Sequence, residues 1–105
     1  MTARIPSRGE PEVSRDFVVV TLPPSITAAN APKVRRLLDG YVALGDVRLV
    51  VDLTGVTAID AAGMAALLGG REAVARAGGV MIVRPSPQIL AAFKRSSTIH
   101  AFETG

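Results

Sequence analysis

Three short apolar runs rich in β-branched residues alternate with longer segments whose apolar residues recur every three or four positions. The runs cover residues 17–22, 48–53 and 80–83. Each has the composition of a strand, and the segments between them have the periodicity of helices that bury one face. Such alternation is typical of parallel strands joined by right-handed crossovers. We therefore predict an α/β fold, a single domain whose mostly parallel (mixed) central sheet has about four strands, with helices packed against it.

Capping residues predict where the helices begin and end. Three polar residues precede the helical segments and suit the N-cap position: Asn30, Asp60 and Ser86. Pro32 and Pro87 fall in first turns, where the missing N–H is harmless. Gly45 and the pair Gly78-Gly79 predict the ends of the first two helices.

The second and third predicted helices differ in composition. The second, at residues 61–77, consists largely of alanine and glycine, so its backbone can approach the sheet or a partner closely. The third is expected to turn Ile89, Leu90 and Phe93 inward. Residues 99–102 form a short apolar segment that we expect to pack beneath this last helix.

Length and composition indicate one soluble domain. We place it at residues 16–105, after a flexible tail at residues 1–15 that has prolines, a glycine and no apolar periodicity. No apolar run approaches the roughly 18–20 residues that cross a bilayer, and charged residues interrupt any signal-peptide pattern. The absence of cysteine excludes disulfides and thiolate metal sites. We expect a cytoplasmic protein without membrane insertion.

The net charge of +3 raises the question of nucleic-acid binding. The 12 lysine and arginine residues are spread along the chain and do not gather on one element. One tyrosine and three phenylalanines offer little surface for stacking bases. We therefore expect no nucleic-acid partner.

Catalytic and metal-binding patterns are weak. Ser96, Ser97 and the only histidine, His100, lie close in sequence, but no nucleophile elbow or positioned acid accompanies them. The glycine pairs do not have the spacing of phosphate-binding or dinucleotide-binding loops. Asp52 ends a strand, and Asp60 is the only other carboxylate at useful spacing. We expect no enzymatic activity, no cofactor and no metal.

A correlated series of short motifs runs through the chain. In order, it comprises Asp52-Leu53, Gly55-Val56-Thr57, Ile59-Asp60, Gly63, Gly78-Gly79 and Pro85-Ser86-Pro87. With the strands and helices between them, these motifs resemble the STAS domains, and most closely the bacterial anti-sigma factor antagonists. The resemblance covers roughly residues 17–103 and implies a single STAS-like α/β domain.

The resemblance also implies a partner and a contact surface. In those antagonists, a kinase-like anti-sigma factor binds the loop and helix start after the second strand and phosphorylates a serine there, which breaks the complex. The added phosphate brings about −1.5 to −2 charges into a close contact between small residues. For this chain the implied partner is a kinase-like anti-sigma factor, whose binding frees a sigma factor. The implied contact residues are Thr27, Thr57, Asp60, Ala61, Ala62, Gly63 and Met64.

The chain departs from the family pattern at the phosphorylation site itself. The family has two hydroxyl residues between Asp and Gly, the second being the phosphate acceptor, whereas this chain has Ala61 and Ala62. Because alanine cannot carry a phosphate, we expect docking to be constitutive or controlled in another way. Thr54 and Thr57 are the substitute phosphorylation candidates, with turn hydrogen bonding as their alternative role. Thr27 stands where the family often has a carboxylate that contacts the partner.

A second type of interaction protein fits the same residues. STAS domains also occur in anion transporters, stressosome-like scaffolds and lipid-transport assemblies. The alternative is therefore an interaction subunit of a lipid-transport or stressosome-like assembly, which Ala61 and Ala62 would suit equally well. Self-association through the edge of the first strand is left open.

Overall fold

The computed structural model describes residues 17–96 and the backbone of residues 103–104. The strands are β1 Val18–Thr21, β2 Ser25–Ile26, β3 Arg48–Leu53, β4 Ala58–Ile59, β5 Val80–Pro85 and β6 Glu103–Thr104. The helices are α1 Ala31–Ala43, α2 Ala61–Arg76 and α3 Pro87–Arg95. The predicted alternation of strands and helices is confirmed. The predicted tail and the apolar segment at residues 99–102 lie outside the described residues.

The main sheet has four strands in the order β1-β3-β5-β6. Each neighbouring pair within it is parallel. A single row of residues crosses the first three strands, because Val19 is paired with Val50, and Val50 with Ile82. The predicted α/β class and mostly parallel sheet are therefore confirmed. The fourth strand, β6, follows the predicted apolar segment at residues 99–102 and was not identified from the sequence.

The hydrophobic core lies on one face of the main sheet. Successive strand residues point to opposite faces, and Val20, Val51 and Val83 lie in one row on the buried face. Each helix adds fully buried side chains to the same cluster, for example Leu38, Leu67 and Phe93. On the opposite face, Val19 is 56% exposed, and its partner Val50 is buried but does not belong to this cluster. The described helices therefore cover one side of the sheet.

The glycines of α2 allow close packing against α1. A Cβ atom added to Gly70 would overlap the side chain of Leu38, and one added to Gly69 would overlap the guanidinium group of Arg35. Arg35 is held in place by an ion pair with Asp39, with 3.0 Å between Nε and Oδ1. The Ala/Gly-rich composition in the middle of α2 thus serves contact with a neighbouring helix of the same chain.

The capping predictions are confirmed at α2 and α3 and wrong in one respect at α1. Asp60 and Ser86 accept backbone N–H hydrogen bonds at the starts of α2 and α3. Asn30 occupies the N-cap position of α1, but its side chain makes no capping hydrogen bond. It accepts from the N–H of Thr27 and donates to the carbonyl of Ser25, because the preceding loop folds back over it.

The predicted helix ends are confirmed, and the predicted inward face of α3 is confirmed in two of its three residues. Gly45 and Gly78 follow α1 and α2 with φ of 88° and 82°, the left-handed conformation that glycine adopts readily. Ile89 and Phe93 are fully buried as expected. Leu90 is only half-buried, since it lies at the edge of the face that packs on the core.

Candidate functional site

The candidate site is formed by two loops that are far apart in sequence. The short strands β2 and β4 form a separate two-stranded parallel sheet. Its pairing is extended by two backbone hydrogen bonds, from the N–H of Thr57 to the carbonyl of Pro24 at 2.8 Å and from the N–H of Asp60 to the carbonyl of Ile26 at 3.2 Å. The loop before α1 is thereby fixed beside the loop before α2.

Asp60 joins these two loops through its side chain. One carboxylate oxygen, Oδ1, accepts the N–H of Gly63 at 2.9 Å and caps α2. The other, Oδ2, accepts the N–H of Ala28 at 3.0 Å. These hydrogen bonds, first from Gly63 and then from Ala28, lower the pKa of Asp60 below its ordinary value, because they stabilise the charged form. Asp60 is therefore both a helix cap and a link between the loops.

Gly63 lies beneath the surface. It is buried in α2. A Cβ atom at this position would overlap the carbonyl oxygen of Ile26 and lie 2.8 Å from Cγ1 of Ile59. The glycine therefore allows the first turn of α2 to rest directly on the β2–β4 pair, and it presents no side chain to the outside.

The neighbouring small residues lie closer to the surface. Ala61 is exposed, whereas Ala62 and Met64 are half-buried and pack against the core. The first turn of α2 therefore presents an exposed carboxylate, one exposed methyl group and parts of two further side chains. Ala62 carries only a methyl group.

The threonines near the site have different hydrogen-bonding partners. Thr27 is half-buried, and its Oγ1 accepts the N–H of Ala29 at 3.3 Å. Oγ1 of Thr54 donates to Asp52 at 2.6 Å, and the N–H of Thr54 donates to the same carboxylate oxygen at 2.9 Å. Both bonds lower the pKa of Asp52, the hydroxyl bond more strongly. Thr54 therefore makes the turn hydrogen bonds that were the alternative to phosphorylation.

Thr57 is the more accessible of the two substitute phosphorylation candidates. It is exposed, and its hydroxyl makes only a long contact of 3.5 Å with the carbonyl of Pro24. A phosphate on Thr54 would break a short hydrogen bond and place two negative groups side by side, which is unfavourable. Of the two, Thr57 therefore has the geometry better suited to modification.

Ser86 supports the site from below. Its hydroxyl donates to the carbonyl of Val56 at 2.6 Å and accepts the N–H of Ile89 at 3.1 Å. The side chain is buried, with 3% exposed. The sequence identified Ser86 as a helix cap, but its bond to the 54–60 loop could not be predicted, because it depends on how α3 packs against that loop.

The sequence candidates for catalysis and metal binding do not form a cluster in the described part of the chain. Ser96 is the C-cap of α3 and donates its hydroxyl to the carbonyl of Ala92 at 2.9 Å, while Ser97 and His100 lie outside the described residues. Among residues 17–96, no three His, Asp or Glu side chains come close enough to hold a metal ion. No helix in the described part is long and apolar enough to cross a membrane.

Comparison with known proteins identifies the family. The family model of the STAS domain matches residues 9–104. The chain belongs to the STAS domain family. No curated protein matches this STAS domain in sequence.

Solved structures of anti-sigma factor antagonists share the fold. A candidate antagonist from Thermotoga maritima is 16% identical with a TM-score of 0.72, and the match covers 85% of this STAS domain and 81% of that chain. The antagonist SpoIIAA in its unphosphorylated form is 18% identical with a TM-score of 0.67, covering 90% and 84% of the two chains. Phosphorylated SpoIIAA, described as a Bacillus cell fate determinant, is 18% identical with a TM-score of 0.66, covering 90% and 87%. At these identities, the likeness establishes the fold.

Proposed function

We propose that this STAS domain is an anti-sigma factor antagonist-like protein that binds a kinase-like anti-sigma factor in the cytoplasm and so frees a sigma factor. The proposed contact area, called here the cap surface, consists of Thr27, Thr57, Asp60, Ala61, Ala62 and Met64. Gly63 supports this surface from inside, because it is buried against Ile26. The domain acts by binding and not by catalysis, and it needs no cofactor.

The proposal rests on the two backbone hydrogen bonds that the Asp60 carboxylate accepts. Because Asp60 bonds both Gly63 and Ala28, the loop before α1 and the start of α2 hold one fixed arrangement before any partner arrives. A preorganised surface loses less conformational entropy on binding than two independent loops would. The small side chains of Ala61 and Ala62 let a partner backbone approach the helix start closely.

Ala62 removes the usual way of ending such a contact. Without a hydroxyl group at this position, a kinase partner has no acceptor there, so it cannot add the charges that would repel it. The complex is therefore expected to persist in the presence of ATP. Docking would then be constitutive or controlled in another way.

The proposal is tested by reconstitution with purified proteins. Kinase-like anti-sigma factors of the source organism are mixed with their sigma factors, and release of sigma factor is measured on adding this protein. The wild type should release the sigma factor from one of these anti-sigma factors. Ala62→Asp should abolish that release, because the substitution places a negative charge in the proposed contact area. Ala75→Asp is the matched control, an exposed position at the far end of the same helix, and should behave as the wild type.

Two results would refute the proposal. One is that the wild type binds none of the kinase-like anti-sigma factors. The other is that Ala62→Asp binds and releases as well as the wild type. Capture of a transporter ATPase or permease in place of an anti-sigma factor would instead support the lipid-transport alternative.

A further inference from the structure

A groove beside the cap surface runs between the start of α2 and helix α3. It consists of two adjoining hollows of about 420 and 430 Å³, which share Ile59, Ala92 and Arg95. One hollow also contacts Asp60, Ala61 and Met64, and the other contacts Thr57. The groove therefore continues directly from the proposed contact area.

One wall of the groove is the outward face of α3. Gln88, Ala92 and Arg95 line it at helical spacing, Ile89 closes its floor at only 1% exposed, and Phe93 is turned into the core. The alanine in the middle of this face leaves room above it, between the longer side chains of Gln88 and Arg95. The opposite wall is apolar, with Ile59 and Met64 half-buried. This shape suits a large apolar side chain inserted from outside.

The two charged residues of the groove, Asp60 and Arg95, differ in whether they already have bonding partners. The carboxylate of Asp60 already accepts two backbone N–H groups. Arg95 is exposed at the last turn of α3, and no carboxylate within the described residues forms an ion pair with it. A molecule in the groove is therefore favoured if it brings a negative charge to Arg95.

Building on the proposed function, we propose that the groove receives a segment of the anti-sigma factor that carries a large apolar side chain beside an Asp or Glu. The apolar side chain lies over Ala92 between Ile59 and Met64, and the carboxylate pairs with Arg95. The groove thus extends the contact from the start of α2 to α3 and adds a requirement for a particular partner sequence. A small-molecule ligand is disfavoured, because the hollows are open and have few converging polar groups.

The test uses the anti-sigma factor that binds the wild type in the reconstitution, titrated by calorimetry at two salt concentrations. Arg95→Glu should weaken binding by about tenfold or more and reduce its salt dependence. Lys94→Glu is the matched control, because it makes the same charge change at the adjacent exposed residue outside the groove, and it should change affinity by less than about threefold. Ala92→Leu, which fills the groove, should also weaken binding about tenfold, whereas Ala43→Leu at the exposed end of α1 should not.

The outcomes distinguish this inference from the proposed function. If Ala62→Asp abolishes binding while Arg95→Glu and Ala92→Leu bind as the wild type does, the groove is empty in the complex and only this inference fails. If Lys94→Glu weakens binding as much as Arg95→Glu does, general charge and not the groove is responsible, and the inference again fails. If no kinase-like anti-sigma factor binds the wild type, the proposed function fails and the groove inference with it.

Discussion

Oδ2 of Asp60 lies 3.0 Å from the backbone nitrogen of Ala28, a residue 32 positions earlier in the chain. The same side chain caps α2 through Gly63. A single carboxylate thus determines the relative position of two segments that the chain brings together only on folding.

The two hydrogen bonds of Asp60 can be separated by substitution. In Asp60→Asn, the amide oxygen can still cap Gly63, but the amide nitrogen cannot accept the N–H of Ala28. Asp60→Ala loses both bonds. We expect Asp60→Asn to lower the Tm slightly and Asp60→Ala to lower it by a few degrees more, as measured by thermal unfolding. Amide exchange at Ala28 should accelerate in both variants, and unchanged exchange in Asp60→Asn would contradict the link between the loops.

The lowered pKa values of Asp52 and Asp60 predict a loss of stability in acid. Both groups have an ordinary pKa of 3.8 and a lower value in the folded protein, so the unfolded chain binds protons first as the pH falls. Their stabilising effect is complete well above pH 3.8 and is lost as the pH falls through the lowered folded pKa. In urea unfolding between about pH 6 and 2.5, the Asp52→Asn/Asp60→Asn variant should therefore show a shallower acid decline than the wild type. If the stabilities of the wild type and the variant fall in parallel with pH, the lowered pKa values of Asp52 and Asp60 do not cause the acid decline.

Two glycines in helices should respond oppositely to the same change. Gly63→Ala pushes a methyl group into the carbonyl oxygen of Ile26, which is backbone and cannot move aside cheaply. We expect a loss of about 3 kcal/mol in the free energy of unfolding. At Gly40, by contrast, nothing lies within 4 Å of the added atom, so Gly40→Ala should stabilise α1 by about 0.5–1 kcal/mol. Urea unfolding measures the stability of both variants. If Gly63→Ala and Gly40→Ala change the free energy of unfolding equally, the close contact of Gly63 with Ile26 is refuted.

Ser86→Ala should destabilise the protein, because Ser86 connects the start of α3 to the 54–60 loop. The change removes the cap of α3 and leaves the carbonyl of Val56 without its hydroxyl donor. The expected loss is about 1–3 kcal/mol in the free energy of unfolding. Ser25→Ala, at an exposed serine, serves as the control and should stay within about 0.5 kcal/mol of the wild type.

The absence of a hydroxyl at Ala62 predicts the pattern of phosphorylation. On incubation with the proposed kinase-like partner and ATP, intact-mass analysis should find no stoichiometric phosphate on residues 54–63 of the wild type. Ala62→Ser should gain one phosphate, because the substitution recreates the family's acceptor at the start of α2. A phosphate on the wild type that disappears in Thr57→Ala, but not in Thr54→Ala, would show instead that Thr57 has taken over the role.

The strands and helices of the main sheet could be predicted because each carries its own signal. β3, for example, contains Leu49, Val50 and Val51 in succession, and α2 begins after Asp60 and is followed by Gly78. β2 and β4 could not be predicted, since each is only two residues long and has no measurable periodicity. They form because the neighbouring loops come together in space.

The candidate site could be predicted only in part for the same reason. The sequence identified Asp60 and Ser86 as caps, and the structure confirms both. Their second bonds, to Ala28 and Val56, join segments that only tertiary packing brings together. Local sequence predicts a capping side chain at Asn30, but the folded loop offers that side chain partners at Thr27 and Ser25 instead.

The close approach of α1 and α2 at Gly70 has a mechanical consequence. Gly70 lies ten residues beyond Asp60, so the interlock with Leu38 is about 15 Å along the helix from the proposed contact. The first turn of α2 is held separately, because Gly63 rests directly on Ile26 and Ile59 of the β2–β4 pair. Helix α2 is therefore anchored at two points along its axis, on the β2–β4 pair at its start and on α1 at its middle.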